Sequence, residues 1–349
     1  MSPDEEIRAL IAKHRSRIAI AAHHYQRPEI VKYADSVGDS YRLAVDCAAG
    51  QADFIVMCGV LFMAESAAVM ADGRQRVFIP DRSAGCPMAD MIDERQLSKA
   101  LDCIREACGK EAVPVVYMNS TAAVKAVCGR AGGSVCTSSN AEKILRHFLK
   151  TGAPVLFAPD SRLGFNTAVG CGLTENSDIA RIGSDMNIDG DAQQAKVFLW
   201  EGYCPIHNRF TEDQVKAIRR EHPGISVIVH PECNYEVVHS ADGFGSTEFL
   251  LRTVKEAAPG TVWGVGTESS FVERLSSDCP DKTVLPLASY PCADMNKITP
   301  EKLAAVLREI DAVIGGGTPA VNEVTVDPQT AADARKALER MVSVTEANV

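Results

Sequence analysis

The chain has no long apolar run, no excess of positive charge and no Cys-x-x-Cys pair, and each absence removes a class of function. The uncharged stretch Phe54 to Ala64 is too short to span a bilayer and sits between Asp53 and Glu65. The opening Met1 to Glu6, MSPDEE, is acidic and lacks an apolar centre, so a secretory signal is not expected there. A net charge of -10 argues against nucleic acid as the main partner, though it leaves room for small anions held by local donors. Without Cys-x-x-Cys, a zinc ribbon or ferredoxin-type run is not expected. Twelve cysteines with no secretory signal point instead to a reducing cytoplasm, where thiols serve metal or chemistry.

What is present is a repeat. Arg76 to Cys86, RVFIPDRSAGC, is a short apolar run, a turn and a cysteine. KVFLWEGYC ends at Cys204 and TVLPLASYPC at Cys292 in the same manner. A helix start follows each: Asp93 with Gln96 and Thr211 with Gln214 form capping boxes, and Thr299 is an N-cap before Pro300. Ser2 to Glu5 opens the chain likewise. Between these landmarks each unit carries a helix and then an apolar, β-branched run with a polar end: IAIAAHHYQ, VVYMNST, VIVHPEC. A second polar tip leading into a helix comes next, at 38–40, 137–140 and 245–247, with YADSVGDS matching HSADGFGST. A further strand then precedes the cysteine run.

These elements predict an α/β protein of three pseudo-threefold-related αβα units with parallel sheets. The expected boundaries are 1–88, 89–205, 206–293 and a helical closing segment 294–349. Gly170 to Ala195 is expected as a surface excursion within the second unit, and Gly315–Gly317 with Pro319 as a break before a closing helix from Pro328.

Nine cysteines need no function. Cys47, Cys103, Cys108 and Cys128 lie in helical patterns, Cys58 and Cys136 in or beside strands, and Cys171, Cys233 and Cys279 in loops that leave them undecided. Cys86, Cys204 and Cys292 share one repeat position, so threefold packing would bring them together. Three soft ligands with no evident fourth suit an iron-sulfur cluster with one open iron, or a catalytic zinc.

Polar strand ends form the second group: His23, His24 and Tyr25, Tyr117 and Asn119, His230 and Glu232. Ligands bind outside the carboxyl ends of parallel strands, so these residues are expected to line one cavity. His230 and Glu232 pair a donor with a base. Third are Ser40, Ser138, Ser246 and Thr247. They are helix caps on the plain reading, and anchors for a phosphate or carboxylate on the functional one. GVGTESS at 264–270 is only a weak match to a nucleotide loop.

At these residues the chain resembles the quinolinate synthase family. AHHYQ, YADSVGDS, CGVLFMAES, PDRSAGCPMAD, YMNSTAAVKA, CTSSN, APDSRLG, EGYCPIHNRFT, HPECNYEVV, FGST and GTESSFVERL stand in that family's order over nearly the whole chain. The resemblance implies three αβα units around one 4Fe-4S cluster per chain held by Cys86, Cys204 and Cys292. It also implies condensation of iminoaspartate with dihydroxyacetone phosphate to quinolinate in NAD biosynthesis, coupled to an aspartate-oxidising enzyme. Substrate contacts implied are His23, Ser40, Tyr117, Asn119, Ser138, His230, Glu232 and Thr247, with Tyr25 and Ser246 close by. Glu232 is the expected base, with His230 and Tyr25 as donors or relays. Two departures stand out: His24 replaces the family's usual tyrosine, and Cys292 lacks a neighbouring Cys-x-x-Cys run. The alternative reading is a sensing or binding protein whose cluster or zinc reports iron, oxygen or redox state; a general base beside His230 favours the enzyme.

Overall fold

A computed structural model describes residues 2–71, 73–317 and 321–347. Three sheets follow one another along the chain. The first holds β1 (Ile18–His23), β2 (Ser36–Gly38), β3 (Phe54–Cys58) and β4 (Arg76–Phe78). The second holds β5 (Val113–Tyr117), β6 (Ser134–Cys136), β7 (Val155–Ala158), β8 (Ile179–Ile182), β9 (Ile188–Asp189) and β10 (Val197–Trp200). The third holds β11 (Ser226–Val229), β12 (Gly243–Phe244), β13 (Val262–Gly266) and β14 (Thr283–Pro286). A short strand, β15 (Glu323–Val324), returns antiparallel to β4.

Each sheet has the same spatial order: the unit's second strand, its first, the strand of the middle run, then the strand before the cysteine. All those pairings are parallel. Parallel strands need crossover connections, and the helices supply them, so both faces of each sheet are covered. Middle strands such as β3 and β7 are accordingly apolar and buried throughout.

The short strands β2, β6 and β12 are an addition to the sequence reading, which has only polar tips there. Two or three residues carry no periodic signal of their own. A second difference lies in the insertion. Most of it is exposed, as a surface excursion would be, but it also adds β8 beside β10 and turns back through β9, extending the second sheet. Ile179, Ala180 and Ile182 are buried there, which a loop on the surface would not achieve.

Capping signals land where expected. Ser2, Asp93 and Thr211 form capping boxes, and Thr299 accepts from Lys302 N–H ahead of the helix Pro300–Ile314. That helix packs against Pro3–His14, the first helix of the chain. Gly315 follows it, while Pro319 lies outside the described residues. The closing helix, Pro328–Glu346, packs on Ala122–Arg130 of the second unit. Their approach needs a glycine: a Cβ on Gly129 would fall 1.9 Å from the Asp333 carbonyl oxygen. Among the described residues no helix is long and apolar enough to cross a membrane.

Candidate active site at the threefold axis

Strand register fixes which residues are equivalent. Ala22 pairs with Cys58, Val116 with Ala158 and Val229 with Gly266, so the next positions out, His23, Tyr117 and His230, correspond. Two residues further come Tyr25, Asn119 and Glu232. On the second strands Gly38, Cys136 and the position after Phe244 correspond, which makes Ser40, Ser138 and Thr247 a third set. All nine of these residues line one cavity of about 330 Å³ together with Cys86, Cys204 and Cys292.

The cysteines are held in three copies of one arrangement. The carbonyl two residues before each accepts a helix N-terminal N–H: Leu61 to Ala84 at 2.8 Å, Ser161 to Gly202 at 2.8 Å, Ser269 to Tyr290 at 3.4 Å. Each cysteine carbonyl then accepts from the residue four positions on, Asp90, Asn208 or Asn296. A single 3-10 turn follows: Ala89–Met91, His207–Arg209 or Met295–Lys297. Burial raises all three thiols, Cys86 to about 12, while backbone N–H groups from Ala89, His207 and Met295 work the other way. Half-buried thiols on a cavity wall, with amides aimed at sulfur, are suited to a cation that displaces their protons. Cys47, Cys58, Cys128, Cys136, Cys233 and Cys279 are buried elsewhere in the core, and Cys103, Cys108 and Cys171 are half-buried outside the cavity.

His23 and His230 also repeat one local geometry. Each ring Nδ1 accepts the N–H two residues on, from Tyr25 at 3.1 Å and from Glu232 at 3.4 Å. The proton of the neutral ring therefore sits on Nε2, a donor. Burial, with neighbouring imidazoles, lowers both to about 3, so both are neutral at physiological pH.

Glu232 is the exception within its set. Tyr117 donates its hydroxyl to Oε1 at 2.5 Å, and His207 Nδ1 lies 2.6 Å from Oε2. Burial works to raise this carboxyl, but His230, His207 and the Tyr117 hydroxyl outweigh it and hold it below its ordinary value. Burial, reinforced by the same carboxylate, pushes Tyr117 well above the usual phenol range. On the far side of His207, Nε2 meets the Tyr25 hydroxyl at 3.3 Å and Thr267 Oγ1 at 3.1 Å. Polar contacts thus run Tyr117, Glu232, His207, Tyr25 across all three units, the His207–Glu232 link being a close approach of Nδ1 to the carboxylate rather than an aligned hydrogen bond.

The hydroxyl set resolves a choice the sequence leaves open. Ser246 is absent from the cavity lining; it caps its helix by accepting from Phe249 N–H at 3.3 Å. Thr247 lines the cavity, and its Oγ1 is buried with no hydrogen-bond partner. In the first unit the cap is Asp39, and Ser40 is the first helical residue. Ser138 lies ahead of the helix Ala141–Leu149, whose start falls three residues later. Segment 264–270 forms no anion loop: Glu268 caps the helix Ser269–Asp278, and its Oε1 accepts the Cys292 N–H at 3.0 Å.

Three contributors escape the sequence reading. His207 has only Ala89 and Met295 as repeat counterparts, and that asymmetry three residues after a ring cysteine was its signal. Glu268 holds the Cys292 loop. Lys125 is fully buried and donates to the Met118 carbonyl at 2.8 Å and to that of Ser120, fixing the Asn119 loop; burial lowers it to about 7. Cys204 Sγ, a His207 ring nitrogen and a Glu232 oxygen also lie within 4.8 Å of one another, close enough for one ion.

Three αβα repeats enclosing a cavity, with thiols on one ring and neutral imidazoles, phenols and a single carboxylate on the others, define a small-molecule enzyme site rather than a surface for macromolecules. The family model described as "Quinolinate synthetase A protein" matches residues 5–343. The chain is 42% identical over 346 residues to quinolinate synthase of Geobacillus kaustophilus (strain HTA426), covering 97% of this chain and 93% of that one. It is 42% identical to quinolinate synthase of Listeria monocytogenes serovar 1/2a (97% and 92% covered). To that of Nocardioides sp. (strain ATCC BAA-499 / JS614) it is 43% identical (97% and 89% covered). The chain belongs to the quinolinate synthetase A family.

Proposed function

We propose that this chain condenses iminoaspartate with dihydroxyacetone phosphate to give quinolinate, phosphate and water, as a cytoplasmic step of NAD biosynthesis fed by an aspartate-oxidising enzyme. The observation that carries the reading is one cavity joining three equivalent cysteines to a buried carboxylate, Glu232, flanked by a phenol and imidazoles. Cys86, Cys204 and Cys292 would hold one 4Fe-4S cluster. When bound, such a cluster supplies an open iron as a Lewis acid for the dehydration chemistry.

The protein's own part is binding and proton transfer. Ser40 and Thr247 stand first in their helices, where free N–H groups and the dipole favour phosphate or carboxylate. His23 and His230 donate from Nε2 to substrate oxygens. Carbon–carbon bond formation requires loss of a proton from iminoaspartate to an enamine, and Glu232 accepts it. A carboxylate held so low is a weak base until a donor is withdrawn. A substrate oxygen that takes the Tyr117 hydroxyl withdraws one, raising the basicity of Glu232 when substrate is in place. His207 and Tyr25 then carry the proton onward along the contacts described above.

Anaerobic incubation of the iron-reconstituted protein with both substrates should yield quinolinate, detectable by its absorbance and mass. Absence of product with about four irons bound per chain would overturn the assignment. Zinc in place of iron in the purified protein would instead favour a mononuclear site at Cys204, His207 and Glu232.

A further inference from the structure

We propose that His24 is a positioning residue that sets the spacing between Ser40 and Thr247, and so tunes affinity for the anionic substrate. The inference deepens the function proposed above and rests on it for the identity of that substrate. Unlike His23 and Tyr25, His24 does not line the cavity; it is 2% exposed, and its carbonyl and ring tie the first unit to the third. Its N–H donates to the Gly38 carbonyl at 3.1 Å, two residues before Ser40. Its own carbonyl accepts from Arg274 Nη2 at 3.1 Å, and the same nitrogen faces ring Nδ1 at 3.2 Å. Nδ1 is thereby an acceptor, which places the proton on Nε2. Nε2 lies 3.2 Å from Glu248 Oε2, and Glu248 directly follows Thr247 in the helix Thr247–Glu256.

Arg274 belongs to the third unit, on the helix Ser269–Asp278, and is itself 9% exposed; the same helix sets Phe271 edge-on to the His24 ring at 5.7 Å. One side chain therefore links the strand end carrying Ser40's unit to the helix that begins at Thr247. The repeat shows that this is not a general feature of the fold. Met118 and Pro231 hold the equivalent positions, and neither can make a polar bridge of this kind. His24 also stands between His23 and Tyr25, so the same clamp fixes both cavity residues in direction.

The test uses the iron-loaded full chain and three variants. His24→Phe keeps the ring against Phe271 and removes both ring nitrogens; His24→Tyr returns a hydroxyl able to donate to Glu248. Glu248→Ala removes the acceptor from a side chain that is half exposed, so folding is safeguarded there. Expected for His24→Phe and Glu248→Ala is a rise in KM for dihydroxyacetone phosphate of about tenfold, the scale of one lost hydrogen bond to a charged group, with kcat changed by less than about twofold. The double variant should be no worse than either single one, because both remove one interaction. His24→Tyr should recover most of the loss. Calorimetric affinity for inorganic phosphate should follow KM, and it reads the clamp without turnover. Unchanged phosphate affinity in His24→Phe and Glu248→Ala overturns the positioning role, even if melting temperature falls. A wild-type protein that binds phosphate and makes no quinolinate overturns the proposed reaction instead.

Discussion

The ring of cysteines and the ring of strand-end residues occupy the same cavity, yet one keeps the threefold symmetry of the repeat and the other abandons it. Cys86, Cys204 and Cys292 share a helix N–H two residues upstream, a carbonyl bond four residues downstream and a 3-10 turn. At the strand ends the sets read His, Tyr, His and Tyr, Asn, Glu, and a single carboxylate gathers its partners from all three units. Three like positions can hold a centre that presents three like faces. Directional chemistry on an unsymmetrical substrate needs unlike groups, and those arise where each repeat has diverged at its strand end. The comparison can be broken from either side.

The largest effect is expected on the symmetric side. Serine at Cys86, Cys204 or Cys292 should abolish iron binding, read by metal analysis and the loss of charge-transfer absorbance, because a hard hydroxyl cannot replace a thiolate in a three-ligand set. Serine at Cys47 or Cys108 should leave iron content unchanged. Retention of a full cluster in any ring variant would mean that the symmetry is inherited rather than used.

Next comes the asymmetric side. Glu232→Gln keeps the side-chain shape, and its amide can still accept from Tyr117. Iron content should stay at wild-type level while quinolinate formation falls by at least about a hundredfold, the ordinary scale for a general base. Near-normal turnover with iron intact would move the base to another residue of the chain. His207→Asn should produce a smaller loss, since it removes the contact with Glu232 and leaves the carboxylate in place.

How far the two rings were legible in the sequence follows from the same contrast. Cys86, Cys204 and Cys292 could be picked out of twelve because three copies of an apolar run, a turn and a cysteine repeat along the chain. The strand ends His23, Tyr117 and His230 were legible as polar ends of buried runs. His207 lies in a turn outside any strand, so it belongs to no set of strand ends, and its one mark in the sequence is that its counterparts Ala89 and Met295 carry no polar group. The residues themselves do not separate Thr247 from Ser246, which only the family resemblance ranks; pairing of β11 with β12 fixes the register. Residues 170–195 read as loop from their Gly, Asp and Asn content, whereas tertiary pairing with β10 makes β8 a strand. Register and tertiary pairing are long-range, so local composition does not encode them.

A pH effect of intermediate size distinguishes the rings without a substrate. Native His23 and His230 titrate at about 3, against roughly 6.5 for an unfolded imidazole. Between those values the unfolded chain binds protons that the native protein refuses, so stability falls as pH drops below about 6.5. Glu232, also lowered, has the same sign at more acid pH. Each imidazole should contribute roughly 1.4 kcal/mol of lost stability per pH unit, and the thiols nothing, being protonated in both states over this range. Urea midpoints of the metal-free protein between pH 7.5 and 5.5 should show the slope, and His230→Asn should flatten it. A slope unchanged in both the His23→Asn and His230→Asn variants would place the responsible groups elsewhere.

The smallest effect separates two adjacent residues. Ser246 accepts from Phe249 N–H and lies outside the cavity, whereas Thr247 Oγ1 is buried in the cavity wall with no partner. Ser246→Ala should therefore cost about 1 kcal/mol of stability, the usual value of an N-cap, and leave substrate affinity alone. Thr247→Val keeps the shape and removes an unsatisfied buried hydroxyl, so the substrate-free protein should be as stable as wild type or slightly more so. Affinity for the anionic substrate should nevertheless fall, because that hydroxyl is free to donate to it. Opposite signs for stability and binding across one peptide bond would show that register decides which hydroxyl serves the fold and which serves the ligand. Equal losses of stability in both variants, with affinity intact, would make Thr247 part of the cap and remove it from the site.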